Sequence, residues 1–289
     1  MDSLVYIDGI DALATYGLRL GDSSLAPLIQ WAELKDVYAN DWHEEDGIEP
    51  DLTNPVLDTR KCTLSFVGNA TTAQVDEFVA LWSNGAYHVL TTTVGFSYRL
   101  RLVSNDSLKW EDGLCIAKFT FADDFPLDGY SYIRPSSGLT PDTRYTLDNT
   151  PLTTYGVYVL AGINSELLKI PEVKENLVRS FENVPGVTYD STEVHFKARE
   201  IRIPCLMRAA TLEEFKTNYN ALLFNLTRRD RRTFMATTLG KRYTFHYVSQ
   251  NVRRAYLTGK LWVEFDIVIK VIAPPSNITA YDLEAIQQE

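Results

Sequence analysis

The chain has 289 residues, 45% of them apolar, 12% aromatic and 23% charged, with a formal net charge of −10. That length and apolar content suffice for two packed cores of about 140 residues each, and no run of about 18 apolar residues is present to cross a bilayer as a helix. The opening Met1-Asp2-Ser3-Leu4-Val5 lacks the basic and apolar regions of a secretory signal.

Three cysteines, Cys62, Cys115 and Cys205, are too widely spaced for a C-x-x-C motif or a disulfide framework, which suits a reducing cytosol. Residues 1–139 hold 9 Lys/Arg against 21 Asp/Glu, and residues 140–289 hold 19 against 17. An acidic half beside a near-neutral half argues against sequence-specific binding of nucleic acid. It favours complementary association of one half with the other, within or between subunits.

The stretch from residue 13 to residue 60 occurs twice. At a fixed shift of 139, Leu13, Thr15, Tyr16, Gly17, Leu28, Glu33, Lys35, Gly47, Asp51, Thr53 and Arg60 recur as Leu152, Thr154, Tyr155, Gly156, Leu167, Glu172, Lys174, Gly186, Asp190, Thr192 and Arg199. Ordinary residue usage would yield roughly three such identities. The pattern predicts a tandem duplication.

Taken in order, residues 1–12 predict a short strand and a turn at Asp8-Gly9. Residues 16–20 and 155–160 are β-prone and predict the opening strand of a sheet in each copy. Residues 23–40 and 164–180 carry Pro27 and Pro171 at different places, which leaves an extended segment with at most one helical turn. Gly47 and Gly186 then lead through Asp51 and Asp190 along an extended arm to Arg60 and Arg199. A glycine kept at the same place in both copies implies positive φ or a close backbone approach.

Beyond the arm, Cys62, Leu64 and Phe66, and Ile201, Ile203 and Cys205, alternate with residues of the opposite face and predict half-buried strands. Thr71-x-x-Gln74 and Thr211-x-x-Glu214 are both capping boxes. Val75, Phe78, Val79 and Trp82, and Leu212, Phe215, Tyr219, Leu222 and Leu223, follow with helical spacing. Each copy then has a hairpin, around Val94-Gly95 or Leu239-Gly240, and final strands over 114–122 and 257–272. The expected fold is mainly β (α+β): two tandem homologous antiparallel β-sandwich domains, each with one amphipathic helix. Residues 1–125 form the first domain, 126–150 a Pro/Gly/Ser-rich linker, 151–273 the second domain, and 274–289 a polar tail able to form a short helix or a partner-binding arm.

Candidate chemistry is sparse. Among His43, His88, His195 and His246 no spacing suits zinc, and His88 and His246 lie in strands as structural histidines. No nucleophile elbow and no glycine-rich phosphate loop occurs, so neither catalytic residues nor a cofactor or metal site is expected. The acidic run Asp41, Glu44, Glu45, Asp46, Glu49 and Asp51 fails the EF-hand spacing and reads as a solvated loop. The basic cluster Arg228, Arg229, Arg231 and Arg232 surrounds Asp230. It is expected to meet Asp41, Glu44, Glu45, Asp46 and Asp51 of a neighbouring subunit.

A glycine turn with a long arm, a strand begun at an arginine, a capped amphipathic helix and a hairpin together resemble the tail-tube fold of long-tailed bacteriophages. The stretch from Gly47 through Arg60-Lys61-Cys62-Thr63-Leu64, followed by residues 71–82, is especially similar to the N-terminal domain of distal tail proteins. The resemblance implies a non-enzymatic structural protein of a phage or prophage tail tip, of the distal tail or baseplate hub kind. It would be assembled in the host cytoplasm as a ring around a central channel, with arms reaching neighbouring subunits. The doubled domain fits a trimer or a hexamer of the chain, with other tail or baseplate proteins as partners and no membrane. The alternative is a carbohydrate- or host-surface-binding module, for which Trp42, Trp110, Tyr130 and Tyr132 would supply an aromatic face.

Overall fold

The computed structural model describes residues 5–175, 178–279 and 282. The described chain opens with strands β1 (Val5–Ile7) and β2 (Ile10–Asp11), joined by Asp8 and Gly9, both with positive φ. The β-carboxylate of Asp11 accepts from the Leu13 and Ala14 N–H groups and starts the short helix α1 (Ala12–Tyr16). Strand β3 (Arg19–Leu20), helix α2 (Leu25–Ile29), and the small strands β4 (Ala39–Asn40) and β5 (Glu49–Pro50) follow. Then come β6 (Arg60–Gly68), helix α3 (Thr72–Ser83), β7 (His88–Thr92), β8 (Ser97–Glu111) and β9 (Leu114–Asp123).

A second series of elements follows in the same order. It has β10 (Tyr145–Leu147), β11 (Thr150–Pro151), a 3-10 turn (Leu152–Tyr155), β12 (Val157–Val159), helix α4 (Ile163–Leu167), β13 (Val178–Ser180) and β14 (Val187–Tyr189). These lead to β15 (Arg199–Ala209), helix α5 (Leu212–Leu226), β16 (Arg232–Ala236), β17 (Lys241–Tyr256), β18 (Leu261–Val271) and the short β19 (Ser276–Asn277). The protein is mostly β, in several sheets with few helices.

Two large sheets have matching orders, β2-β1-β7-β8-β9-β6-β3 and β11-β10-β16-β17-β18-β15-β12, with β19 added beside β17. Strands expected as two sandwiches thus lie on two hydrogen-bonded paths, one for each large sheet. The β10–β11 hairpin, turned by Asp148 and Asn149 with positive φ, answers to β1–β2 at a shift of 140. It places the first strand of the second sheet inside the stretch assigned from sequence to the linker. Compactness also divides the chain differently from the sequence boundaries. Unit 1 comprises Met1–Glu33, Leu57–Ser131 and Gln250–Phe265, and unit 2 comprises Leu34–Val56, Tyr132–Ser249 and Asp266–Glu289.

In unit 1 the alternation in β6 and β9 turns Leu64, Phe66, Phe119 and Phe121 onto one buried face. Helix α3 lays Val75, Phe78 and Trp82 on that face, with Phe66 and Phe78 edge to face at 4.9 Å between centroids. Its capping box is complete, since the Gln74 N–H donates to the Thr71 hydroxyl while the Thr71 N–H donates to Gln74 Oε1. In unit 2 the box at α5 is half made. The Glu214 N–H donates to the Thr211 hydroxyl, but the Glu214 carboxylate takes the Ala210 N–H instead. Phe215, Tyr219 and Leu222 of α5 are buried, as are Ile201, Ile203, Cys205 and Met207 of β15.

Two arginines begin equivalent strands. Arg60 is buried, donates to the carbonyls of Leu28 and Gln30 and to Asp123 Oδ2 at 3.1 Å, and lies over the Tyr98 ring at 4.4 Å. Burial pushes the Tyr98 hydroxyl up to about 12. Arg199 donates to the carbonyls of Glu166 and Leu167, both at 2.9 Å. Each arginine therefore binds carbonyls at the end of a short helix, Arg199 sharing the Glu166 carbonyl with the Lys169 N–H and the Leu167 carbonyl with the Tyr243 hydroxyl.

The C-terminal tail adds β19 in antiparallel register with β17, Lys241 opposite Asn277. Most of the helix or arm expected there lies outside the described residues.

Candidate functional site: two equivalent arms in unequal surroundings

The feature repeated most closely outside the large sheets is the arm between the short helix and the arginine. In the first arm, residues 34–56, the Lys35 N–H donates to the Val56 carbonyl at 2.9 Å and closes the base. The β4–β5 ladder pairs Ala39 with Pro50 and Asn40 with Glu49, and Asp51 accepts from both the N–H and hydroxyl of Thr53. In the second arm, residues 171–198, the Lys174 N–H donates to the His195 carbonyl at 2.7 Å. The β13–β14 ladder pairs Ser180 with Val187, and Asp190 accepts from Thr192 in the same two ways. Hydrogen bonding holds both Asp51 and Asp190 below the usual carboxylate range, the Thr53 and Thr192 hydroxyls being the main donors. Gly47 and Gly186 have φ of +74° and +84°. The expectation drawn from their shared position is met: only glycine adopts this backbone without strain.

The surroundings differ. The first arm is part of unit 2 and is seated there by backbone and side chain. The Leu34 N–H donates to the Val248 carbonyl (2.9 Å), the Gly47 N–H to the Phe196 carbonyl (2.6 Å) and the Ile48 N–H to the Ile272 carbonyl (2.8 Å). Asp46 accepts the Phe196 N–H at 2.8 Å. The buried Lys174 ammonium donates to the Trp42 carbonyl and pairs with Asp41 at 2.6 Å. Leu52 is buried and its carbonyl accepts the Asp230 N–H.

The base of the second arm, at Lys174 and Phe196, is covered by the first arm, but its tip has no such bed among the described residues. Phe181, Val184, Val187 and Tyr189 there are 54%, 59%, 62% and 45% exposed. A β-carbon on Gly186 would meet nothing, whereas one on Gly47 would strike the Ile272 carbonyl.

A cavity of about 250 Å³ lies along the seated arm, lined by Lys35, Asp36 and Ile48 from the arm and by Glu200, His246 and Lys270 from β15, β17 and β18. The His246 Nδ1 there is buried and makes no hydrogen bond. Burial first, and the Lys270 charge second, press its pKa from 6.5 to about 4, so the ring is neutral near pH 7.

The charged residues singled out from sequence all fall in unit 2. Asp41, Asp46 and Asp51 have the internal partners just named, and Arg232 pairs with Asp148. Glu44, Glu45, Arg228, Arg229 and Arg231 are exposed. Arg228 borders a cavity of about 320 Å³ with Tyr132, Arg134, Asp148, Tyr155 and Asn225. Of the aromatics considered as a sugar platform, Trp42 and Tyr132 belong to unit 2, and Trp110 and Tyr130 to unit 1.

His88 is a buried structural residue whose ring nitrogens face Asp8 at 2.6 Å and Asn84 at 3.2 Å. The three cysteines are free and buried. Among the described residues no cluster of three or more His, Cys, Asp or Glu is disposed to hold a metal, and no helix is long and apolar enough to cross a membrane.

Sequence reasoning missed Lys174 as an anchor, although its identity with Lys35 was visible. It could not reach the Val248, Phe196 and Ile272 carbonyls, because main-chain acceptors leave no mark in residue type.

No family model and no curated protein matches the chain. Among solved structures, the chain is similar to the Dit protein of phage SPP1, described as a paradigm of the hub adsorption apparatus in phages that infect Gram-positive bacteria. The likeness has 10% identity and a TM-score of 0.33, over 94% of this chain and 99% of that one.

Proposed function

We propose that this chain is a non-enzymatic structural component of a phage or prophage tail tip, of the distal tail or baseplate hub kind. In this reading it is built from a tandemly duplicated tail-tube-like domain and assembles as a ring of three or six chains around a central channel. The observation that carries the reading is the pair of like arms, one seated along its length, in part on the base of the other, and one exposed at its tip. A repeat whose arm covers the following repeat propagates by heterologous contacts, and heterologous contacts close into rings. The matching strand orders of the two sheets support the duplication. Exposed Glu44 and Glu45, with Arg228, Arg229 and Arg231, are the charged groups that would steer neighbouring tail proteins or subunits together.

The test is gold labelling of particles from the encoding strain with antibody to this chain. Label at the tail end is expected, and intact tails that carry none overturn the assignment.

A second reading, recognition of a host-surface glycan, is favoured by the Tyr132, Asn225 and Arg228 cavity, whose size suits a monosaccharide. A rise in melting temperature with added cell-wall saccharide would select it.

A further inference from the structure

The groups around the cavity of about 320 Å³ in unit 2 divide by hydrogen-bonding role. Asn225 is buried near the end of α5, and its Nδ2 donates twice, to Tyr155 Oη at 2.7 Å and to Tyr132 Oη at 3.3 Å. Both amide hydrogens are thereby used. Each phenol, having accepted one, keeps its own O–H to donate, and neither O–H meets an acceptor among the described residues. Burial pushes the Tyr155 hydroxyl well above the ordinary phenol range, so it holds its proton.

Arg134 and Arg228 border the same space and bring two guanidinium groups. The carboxylate there, Asp148, is already engaged: it pairs with Arg232 and accepts from the Thr233 N–H at 2.9 Å and hydroxyl at 3.2 Å. The carbonyl end of α5 would repel an anion, but Thr227 blunts it, its N–H and hydroxyl both bonding the Leu223 carbonyl, at 3.0 and 2.9 Å. Asn218 of α5 accepts the Ser136 N–H at 3.0 Å and donates to the Ser136 carbonyl at 2.8 Å, which fixes the segment carrying Tyr132 and Arg134.

A neutral sugar needs acceptors as well as donors, because every hydroxyl has a proton to give. The phenols and guanidinium groups here offer donors and positive charge. We propose that this cavity binds a phosphate group, free or as the monoester of a molecule of monosaccharide size, held by the Tyr132 and Tyr155 hydroxyls with Arg134 and Arg228. A tetrahedral anion has acceptors for both phenol protons, and a guanidinium fork meets its oxygens in pairs. Asn225 is the positioning residue that turns the phenols outward. At the shift of 140 that relates Thr211 to Thr71, Asn225 answers to Gly85, whereas Tyr155 answers to Tyr16 at 139. The ring recurs and the amide that orients it does not. The inference goes beyond the glycan reading, with which it shares a cavity, and needs neither a sugar nor a tail.

The test titrates the full chain with inorganic phosphate, glucose 6-phosphate and glucose by calorimetry, at an ionic strength held constant with potassium chloride. Binding of the two phosphate compounds and none of glucose is expected. Arg228→Gln, at an exposed position, should weaken that binding at least about tenfold. Tyr155→Phe, which keeps the buried ring, should weaken it about fivefold. Equal affinity for phosphate and ester assigns the site to the group alone, and a tighter ester assigns it to a sugar phosphate. No binding of either phosphate compound, or binding unchanged in either variant, overturns the proposal. Glucose bound as tightly as its phosphate also overturns it, yet leaves the glycan reading standing, so the two failures are separable.

Discussion

The α-carbon of Gly47 faces the Ile272 carbonyl so closely that a β-carbon built on it would lie 1.6 Å from that oxygen. Gly47→Ala should therefore unseat the first arm, through steric overlap added to a left-handed backbone. The expected loss is at least about 2 kcal/mol of stability in urea denaturation. Gly186→Ala, with the same backbone and open space, should cost about 1 kcal/mol in the isolated chain. Equal losses for the two would contradict the unequal surroundings described here.

The two strand-opening arginines should respond differently to removal. Arg60 neutralises the buried Asp123, whereas position 269, which answers to Asp123 at the shift of 146, is Ile269. Arg60→Met strands a buried carboxylate and should cost about 3–5 kcal/mol. Arg199→Met forfeits two hydrogen bonds to carbonyls and should cost about 1–3 kcal/mol. Denaturant midpoints of the two variants, compared at neutral pH, check the order.

His246 makes the seating of the first arm sensitive to acid. Its pKa is about 4 in the fold and 6.5 unfolded, so the neutral ring is the native form. Its contribution is complete above pH 6.5, declines as pH falls towards 4, and changes no further below that; it amounts to roughly 3 kcal/mol. The surrounding Lys35 and Lys270 oppose protonation, while Asp36 and Glu200 favour it. His246→Gln should flatten this part of the stability profile relative to wild type. A variant whose stability still falls in parallel with wild type across that window would assign the effect to other groups.

Asp124 sets a second, more acidic limit, in unit 1. It accepts from Arg101 Nε at 2.5 Å, Tyr87 Oη at 2.8 Å and Thr59 Oγ1 at 3.0 Å, and the Arg101 bond is chief in holding its pKa at about 2. The ionised carboxylate stabilises the fold above the ordinary carboxylate pKa, and that stability is lost as pH falls through about 2. Asp124→Asn should lower stability at neutral pH and leave the fold less dependent on pH below about 4. Thermal melts from neutral pH into that acidic range measure both effects.

How much of this was legible in the sequence depends on where the information lies. Capping residues at Thr71 and Thr211, and the apolar faces at Phe78 and Phe215, announce the two long helices because local hydrogen bonding and periodicity act within one turn. The paired glycines announced the arms, since positive φ restricts residue type. The β10 strand was hidden because it spans only three residues and lies among prolines and serines, so composition outweighed the Asp148-Asn149 turn that marks it. The charge pairing expected between subunits was drawn from like runs of sign. Within unit 2, Asp41 and Asp46 find Lys174 and the Phe196 N–H, partners that runs of sign do not mark. Proximity of that kind arises only when the arm is seated.

Residues 34–56 belong to a compact unit whose next segment begins only at Tyr132, so order along the chain and membership of a compact unit part company there. Cutting the chain between Ser131 and Tyr132 would give one fragment a hairpin stripped of its platform and the other a platform stripped of its hairpin. Each fragment would expose freshly cut apolar surface. Fragments intended to behave as stable halves should therefore transfer the first arm, fused or supplied as a separate peptide, to the second half. By the same reasoning, a mutation in the first arm is felt in the unit built mainly from residues beyond Tyr132.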